Sequence, residues 1–255
     1  MTKDPKPGEW TGLEGIPICE DWENFKEPAE LELEVNDGLI ALYSLFKEKV
    51  YNPKSVLYPL CGFDSSAARV FDNVTFVDIE HGSEGCIKKL QEAGFKALKQ
   101  DIRDYKPLEA HDLLLLLNPA IPAEWATQHI VKGAYIIANN YHGSAKELAN
   151  KPGEFDLVYA TLFIPEYLRK GEYKVKLLED LSGFFEPVKD AEEFKKLRPE
   201  DFEFVKQQVE DLVSRGIVQS DPSASFDEKW AAFREYLKIG MPAKMTADYF
   251  IFTKK

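Results

Sequence analysis

Apolar positions follow two different periods along this chain, and each period predicts its own kind of element. From Asn36, a suitable N-cap, apolar residues at positions 39, 42, 43, 46 and 50 recur at helical spacing until Asn52 and Pro53 interrupt them. Short apolar runs then alternate with helical segments. Runs at 55–61, 74–79, 97–102, 112–118, 134–139 and 157–163 predict strands, and segments at 65–71, 83–93, 123–131 and 144–150 predict helices.

This alternation of strands and helices indicates an α/β fold. Strands separated by single helices pair in parallel, and right-handed crossovers place the helices on both faces of the sheet. We therefore expect a doubly wound, Rossmann-like sheet that is mostly parallel. Two further helices are predicted at 202–213 and 226–237, the second introduced by a capping box of Ser225 and Glu228. A β-rich run follows at 247–253, whereas 166–186 is too charged to assign.

These elements divide the chain into four expected regions. They are an N-terminal arm and helix (1–50), an α/β core (51–165), a mainly helical insertion or cap (166–246) and a terminal strand of the core (247–255). The first 35 residues carry prolines among Trp10, Trp22 and Phe25, which indicates an irregular arm. Its aromatic side chains either dock on the main body or line a ligand entrance.

Charge and composition restrict the classes of partner. A formal net charge of −12, from 32 basic and 44 acidic residues, opposes broad contact with a phosphate backbone, so we do not expect nucleic acid as a general substrate. The longest apolar run, at 113–117, is too short to cross a bilayer, and the polar first residues do not resemble a secretory leader. Cys19, Cys61 and Cys86 are too few for a disulfide framework. The composition therefore predicts a cytoplasmic protein without membrane partners.

The segment 55–78 carries the most specific functional signal. It reads SVLYPLCGFDSSAARVFDNVTFVD: a strand, a turn at Gly62, a helical stretch and a second strand that ends at Asp78. Together with the later elements, it resembles the class I S-adenosylmethionine-dependent methyltransferases. The resemblance covers roughly 55–163 and resumes at 247–253, where that family has a final strand antiparallel to the rest. It implies S-adenosyl-L-methionine as cofactor.

The turn after the first strand, VLYPLCGFD, stands in the place of a family pattern like VLDLGCGTG. Gly62 matches the central glycine and Cys61 a common neighbour, so both are expected beside the cofactor. Tyr58 replaces the acid of the pattern, and Leu60 and Asp64 replace the outer glycines. Physically, a glycine lets the backbone approach a ligand or adopt positive φ, and the start of the following helix offers free amide groups. Alternatively, Gly62 serves only the packing of the turn.

Three further residues follow the next two strands, at positions where the family holds this cofactor. Asp78, sixteen positions after Gly62, matches the acid that accepts hydrogen bonds from both ribose hydroxyls, and a carboxylate suits that task because it only accepts. Asp101 matches an acid that holds the adenine amino group, with Ile102 as a neighbouring apolar contact. In the alternative interpretation Asp78 caps the next helix, and Glu80 is its rival for the ribose.

The run after the fourth strand, HDLLLLLNPAIP, has a partial family match. Amino-group methyltransferases carry a tetrad of Asn or Asp, two prolines and an aromatic residue here, whose oxygens orient the target nitrogen. Asn118 and Pro119 match the first two positions, which implies a catalytic role for Asn118 and a substrate contact for Pro119. Ala120 and Ile121 stand where the tetrad has its second proline and its aromatic residue. A strand followed by a helix that starts at Pro122 explains the run equally well.

Polar residues also gather where the fifth strand is expected to end. The carboxyl ends of parallel strands face the ligand crevice, so we expect Asn140 to bind substrate and Tyr141 and His142 to take part in catalysis. An imidazole, with an ordinary pKa of about 6.5, suits proton transfer at neutral pH. A histidine that caps the helix at 144 is an equally good interpretation. His111 and His129 are expected at flanking surface positions.

These observations favour an S-adenosylmethionine-dependent methyltransferase acting on a small-molecule or protein acceptor. Methyl transfer depends mainly on positioning, so it needs no general-acid motif. The chain has no GxSxG, HExxH or Walker motif, and we expect no metal. A non-enzymatic alternative keeps the fold as a catalytically inactive binding or scaffold protein, because Leu60 and Asp64 would obstruct the methionine carboxylate. A nicotinamide-dependent oxidoreductase is a weaker alternative, since its spaced glycines are absent.

Overall fold

The helix before the sheet begins where the sequence predicts. The computed structural model describes residues 32–164, 167, 170–236, 244–245 and 247–255, so the predicted N-terminal arm and Cys19 lie outside the described residues. Helix α1 spans Asp37–Lys49, and its N-cap Asn36 accepts a hydrogen bond from the amide of Leu39 at 3.1 Å. This bond satisfies an amide that has no partner within the helix, which confirms the predicted cap.

Eight strands form one sheet in the order β3-β2-β1-β4-β5-β8-β6-β7. Seven of them fall on predicted apolar runs, with ends that differ by a few residues. The eighth, β7, lies inside the charged segment that the sequence left unassigned. The strands are β1 Val56–Pro59, β2 Val74–Asp78, β3 Lys96–Lys99, β4 His111–Leu116, β5 Ile130–Ala138, β6 Phe155–Phe163, β7 Val175–Leu178 and β8 Tyr249–Lys254.

The pairing directions confirm the expected architecture. β1 pairs in parallel with both β2 and β4. The pairs β2–β3 and β4–β5 are also parallel. β8 is inserted antiparallel between β5 and β6, and β7 pairs antiparallel with β6. The fold is therefore a doubly wound, Rossmann-like α/β sheet, mostly parallel at its centre, with an antiparallel C-terminal strand.

Helices accompany the sheet and also form a group of their own. The predicted helix at 65–71 is a short 3-10 helix, Ser66–Arg69. The capping box at the last described helix is confirmed, because the amide of Ser225 donates to Glu228 Oε2 at 2.9 Å. The α-helices after α1 are α2 Cys86–Glu92, α3 Ala123–Thr127, α4 Ser144–Ala149, α5 Ala191–Leu197, α6 Pro199–Ser214 and α7 Phe226–Tyr236.

The hydrophobic core is divided by the sheet into two layers. Val56 and Leu113 belong to one layer, with residues of α1 and α2, and their neighbours Leu57 and Leu114 belong to the other, with residues of α3 and α4. Successive side chains of a strand point to opposite faces, so strands covered on both faces must be apolar throughout. This explains the unbroken leucine run of β4.

Helices α5 to α7 pack around a third, separate cluster. Phe194, Val209 and Trp230 are buried in it together. The division of the whole chain into four regions stays a prediction. In the part of the chain that the structure describes, every helix is too short or too polar to span a lipid bilayer.

Candidate functional site

The sheet changes its direction of growth between β1 and β4. From β1 the chain continues to β2 and β3 on one side, whereas β4 leads to β5 on the other. In an open parallel sheet, ligands bind outside the carboxyl ends of the strands at such a switch point. The loops that follow β1, β2 and β4 therefore line the candidate site.

Backbone strain is concentrated in these same loops. Among the described residues, three that are not glycine have positive φ: Leu60 at 50°, Glu80 at 63° and Asn118 at 54°. Leu60 and Asn118 follow β1 and β4, which border the switch point, and Glu80 follows the adjacent strand β2. This conformation costs an L-residue on the order of 1–2 kcal/mol, and such residues cluster at ligand sites.

A hydrogen bond joins the turn after β1 to the acid at the end of β2. The amide of Gly62 donates to Asp78 Oδ2 at 3.0 Å, and the amide of Glu80 donates to Asp78 Oδ1 at 2.6 Å. Burial raises the pKa of Asp78, although these two bonds act in the opposite direction. An ionised carboxylate offers about four lone-pair sites, and the two amides occupy one on each oxygen. Asp78 therefore retains acceptor capacity on both oxygens.

The conformation of Gly62 explains why this position is a glycine. Its φ is 54°, and a β-carbon added here would meet only Ser83 Cβ, at 3.9 Å, among the described atoms within 4 Å. Positive φ, rather than close packing, therefore requires glycine at this point. The open side of the turn also leaves the backbone accessible to a ligand.

Glu80, the rival of Asp78, is already engaged within the protein. Its Oε1 accepts from the amide of Ile87 at 3.0 Å, and its Oε2 lies 2.5 Å from Lys99 Nζ. Burial raises the pKa of Glu80, but the hydrogen bonds and the charge of Lys99 outweigh burial and hold the pKa below its ordinary value. Asp78 is thus the acid with the greater freedom to bind a ligand.

Two residues that depart from the expected turn pattern contact each other. The hydroxyl of Tyr58 donates to Asp64 Oδ2 at 2.8 Å. Asp64 Oδ1 accepts from the amide of Ser66 at 2.9 Å and from its hydroxyl. The two departures from the pattern are therefore joined in one contact between the strand and the loop that follows it.

Two further tyrosines lie within electrostatic reach of Asp64. Burial, followed by the charge of Asp64, raises the pKa of Tyr43; burial, followed by the charges of Asp248 and Asp64, raises the pKa of Tyr249 to about 12. The Tyr43 hydroxyl is buried and has no hydrogen-bond partner in the described part of the chain. The sequence places Tyr43 in a helix and Tyr249 in a strand, and no local pattern links either to Asp64.

The other predicted cofactor contacts differ in their exposure. The side chains of Cys61 and Ile102 are buried in the core, and burial raises the pKa of the Cys61 thiol. Only their backbone atoms could meet a ligand in this arrangement. Asp101 is half-buried and lies 2.6 Å from a guanidinium nitrogen of Arg103, which holds the pKa of Asp101 below its ordinary value. The three cofactor roles stay predictions.

Asn118 is held by Asn139, which belongs to the polar group that the sequence predicts at the end of the fifth strand. The amide of Asn118 donates to Asn139 Oδ1 at 3.1 Å, and the side-chain amide of Asn139 donates to Asn118 Oδ1. These two bonds join the loop after β4 to the end of β5. Asn118 is exposed, and the next residue, Pro119, is buried. Their roles toward a substrate stay predictions.

The three residues after β5 have distinct environments. Asn140 Oδ1 accepts from the amide of Lys146 at 3.0 Å, so Asn140 supplies a side-chain bond to the start of α4. Tyr141 is 78% exposed, and its ring meets that of His142 edge-on at 4.8 Å. Burial lowers the pKa of His142, which favours the neutral imidazole that a proton acceptor requires. Their substrate and catalytic roles stay predictions.

The expectation of surface positions for His111 and His129 is wrong, because both are buried. His111 Nδ1 lies 2.7 Å from Ser55 Oγ, and its Nε2 lies 2.8 Å from the Tyr105 hydroxyl. The carbonyl of Ile102 lies 2.7 Å from His129 Nε2. His111 starts β4, at the opposite edge of the sheet from the candidate site, so this network belongs to the core.

Several solved structures that resemble this chain are methyltransferases. The N-methyltransferase NodS from Bradyrhizobium japonicum WM9, in complex with S-adenosyl-L-homocysteine, is 12% identical; the match covers 49% of this chain and 75% of that chain, with a TM-score of 0.39. Coclaurine N-methyltransferase, bound to N-methylheliamine and SAH, is 15% identical, with 91% and 76% covered and a TM-score of 0.41. The 16S rRNA methylase RmtB is 21% identical, with 47% and 55% covered and a TM-score of 0.35.

Comparisons with family models and with curated proteins found no related protein. No family model matches this chain, and no curated protein matches it. At the identities and TM-scores of the solved structures, the likeness decides nothing about ligand or activity.

Proposed function

We propose that this chain is an S-adenosylmethionine-dependent methyltransferase that acts on a small-molecule or protein acceptor in the cytoplasm. The Gly62–Asp78 hydrogen bond beside the switch point carries the proposal. It holds a positive-φ glycine turn next to an acid with spare acceptor capacity. A ligand with a ribose needs both: an open backbone for close approach and a carboxylate for two vicinal hydroxyls.

The residues present fit this cofactor. Asp78 would hold the ribose, Gly62 would admit the methionine part, and Asp101 would accept from the adenine amino group. The scaffold alternative relied on obstruction of the turn by Leu60 and Asp64. Asp64, however, is directed to Tyr58 and Ser66, which engage its charge. When bound, S-adenosylmethionine would supply an electrophilic methyl group.

The acceptor side is assigned to the loops after β4 and β5. The paired side chains of Asn118 and Asn139 fix these loops relative to each other, and such positioning is the main requirement for methyl transfer. The exposed ring of Tyr141 offers a contact surface for the acceptor. The neutral imidazole of His142 would take up the proton that a hydroxyl or amine acceptor releases.

Calorimetric titration of the chain with S-adenosylmethionine and S-adenosylhomocysteine tests the proposal. We expect binding of both, and we expect Asp78→Asn to weaken it about tenfold, because the amide can accept at only one of its two positions. Asp72→Asn is a matched control, since Asp72 is exposed and precedes β2 at the opposite edge of the sheet.

Two results would contradict the proposal. One is the absence of binding at millimolar concentration, which would leave the catalytically inactive alternative. The other is equal affinity of Asp78→Asn and Asp72→Asn for S-adenosylmethionine, which would show that Asp78 does not contact the cofactor. Thermal unfolding of both variants shows whether each is folded, so that a loss of binding is not a loss of structure.

A further inference from the structure

One edge of the sheet carries backbone groups without hydrogen-bond partners. β7 pairs with β6, and among the described residues no strand lies on its other side. The amide of Ile164 donates to the carbonyl of Lys174 at 2.9 Å, so Lys174 and every second residue after it turn their backbone groups toward β6. The amides and carbonyls of Val175 and Leu177 therefore point away from the sheet. Within the described ranges, no hydrogen bond reaches them.

Apolar side chains border this free edge. Val175, Leu177 and Leu178 are half-buried, and Met245 is 40% exposed. Residues 176–180 and Met245 line an open groove of about 370 Å³. An unpaired edge beside apolar side chains is a template on which a strand of another chain can pair. A strand in this place would satisfy the backbone groups and cover the apolar side chains.

The charges along this edge determine which strand fits it. The segment 174–180 reads KVKLLED, with lysines at its start, apolar residues in its middle and acids at its end. Its four charged side chains are exposed, and none of them forms an ion pair with another described residue. Two antiparallel copies of this segment bring the lysines of each copy against the acids of the other, and unlike charges stabilise a strand pair. The segment is thus complementary to a second copy of itself.

The opposite edge of the sheet lacks this property. β3, Lys96–Lys99, carries a lysine at each end and no acid within the strand. Lysines on an edge strand oppose pairing with another chain, and two antiparallel copies of β3 would gather four lysines along one seam. At β7, the acids that follow the strand make the same type of residue a partner for a second copy.

We propose that two copies of this chain form a dimer by antiparallel pairing of their β7 strands, which joins the two sheets into one. In the register centred on Leu177, this residue lies opposite Leu177 of the partner subunit, and Val175 lies opposite the partner's Glu179. Every outward-facing backbone group of this stretch is then paired. Lys174 lies opposite the partner's Asp180, and the two-fold symmetry of the dimer repeats this contact. The inference concerns assembly and does not depend on the proposed function.

The neighbouring registers fit less well. Centring the pair on Lys176 places two lysines directly opposite each other. Centring it on Leu178 moves Val175 opposite the partner's Leu181, beyond the end of the strand. Registers centred between two residues set an outward-facing residue opposite an inward-facing one, so they cannot form the hydrogen-bond ladder. The register centred on Leu177 alone combines complete backbone pairing with opposed charges.

Sedimentation velocity of the full chain tests the dimer directly. Measured from about 2 to 200 μM, the chain should show a monomer–dimer equilibrium with a Kd on the order of 10 μM, because a single pair of strands buries a small area. Lys174→Asp and Asp180→Lys each set like charges opposite each other twice, and each should raise the Kd at least roughly tenfold. The combined variant restores unlike charges at both contacts, so its Kd should return to within about threefold of the wild-type value.

Asp72→Lys is the matched control and should leave the Kd unchanged. Asp72 is exposed and precedes β2, and the substitution changes the charge as Asp180→Lys does. A chain that stays monomeric up to about 200 μM would overturn the proposal. A dimer that both single reversals leave intact would also overturn it, as would a combined variant that dimerises no better than either single one.

Thermal unfolding of every variant shows whether it is folded. Asp180 accepts from the amide and the hydroxyl of Ser182, two residues away, so its replacement is expected to alter only the local turn. If Asp180→Lys does not fold, Lys174→Asp still tests the contact from its other side.

Discussion

Acid pH should destabilise this protein through one buried histidine. His111 is 2% exposed between Ser55 and Tyr105, and burial, followed by the charge of Lys96, lowers its pKa from 6.5 to about 4. The unfolded chain binds a proton near pH 6.5, but the folded chain does so only near pH 4. The stability due to the neutral ring is therefore complete above pH 6.5 and is lost between pH 6.5 and 4. One pKa unit corresponds to about 1.4 kcal/mol, so the loss is roughly 3 kcal/mol.

Urea unfolding of the wild type and of His111→Gln, followed by circular dichroism from pH 7 to pH 4, measures this loss. Glutamine keeps a donor and an acceptor for the two hydroxyls but does not titrate. The stability advantage of the wild type over the variant should shrink by roughly 3 kcal/mol over this range. Protonation of carboxylates affects both proteins alike and cancels in the difference. Parallel pH profiles would refute the reasoning.

Two substitutions in the turn after β1 have separate expected effects. Tyr58→Phe removes a buried hydrogen bond to the charged Asp64 and should lower the free energy of unfolding by about 1.5–3 kcal/mol; full additivity with Asp64→Asn in a double-mutant cycle would contradict the contact. The added β-carbon of Gly62→Ala meets only Ser83 Cβ, at an ordinary contact distance of 3.9 Å, but the residue must keep its φ of 54°, so urea unfolding should show a loss of roughly 1–2 kcal/mol. An unchanged stability would mean that the turn adopts another conformation.

The sheet could be predicted from local patterns because its central strands are buried on both faces. The apolar runs of β1, β2 and β4 could therefore be identified as strands without knowing which strands they pair with. β7 was missed because it is half-exposed at the sheet edge, and its lysine and glutamate neighbours obscure the pattern. Edge strands carry less hydrophobic signal than central ones.

The candidate site was predictable only in part. The spacing of Gly62 and Asp78 indicated a shared role, and the structure joins them by a hydrogen bond. Tyr58 and Asp64 were read from the sequence as two separate losses, whereas they form one contact. His111 was misjudged because a polar residue at the start of a strand gives no sign of burial. Contacts between distant segments cannot be deduced from a single sequence.

The position of β8 inside the sheet has a consequence for synthesis of the protein. β6 and β7 can form a hairpin as soon as they leave the ribosome, but β8 alone joins them to β5, and it is made about 70 residues later. At roughly 5–20 residues per second, the edges of β5 and β6 stay unpaired for on the order of 4–14 s. During that interval the nascent chain presents two strand edges to other chains, so a chaperone that covers them would protect it from aggregation.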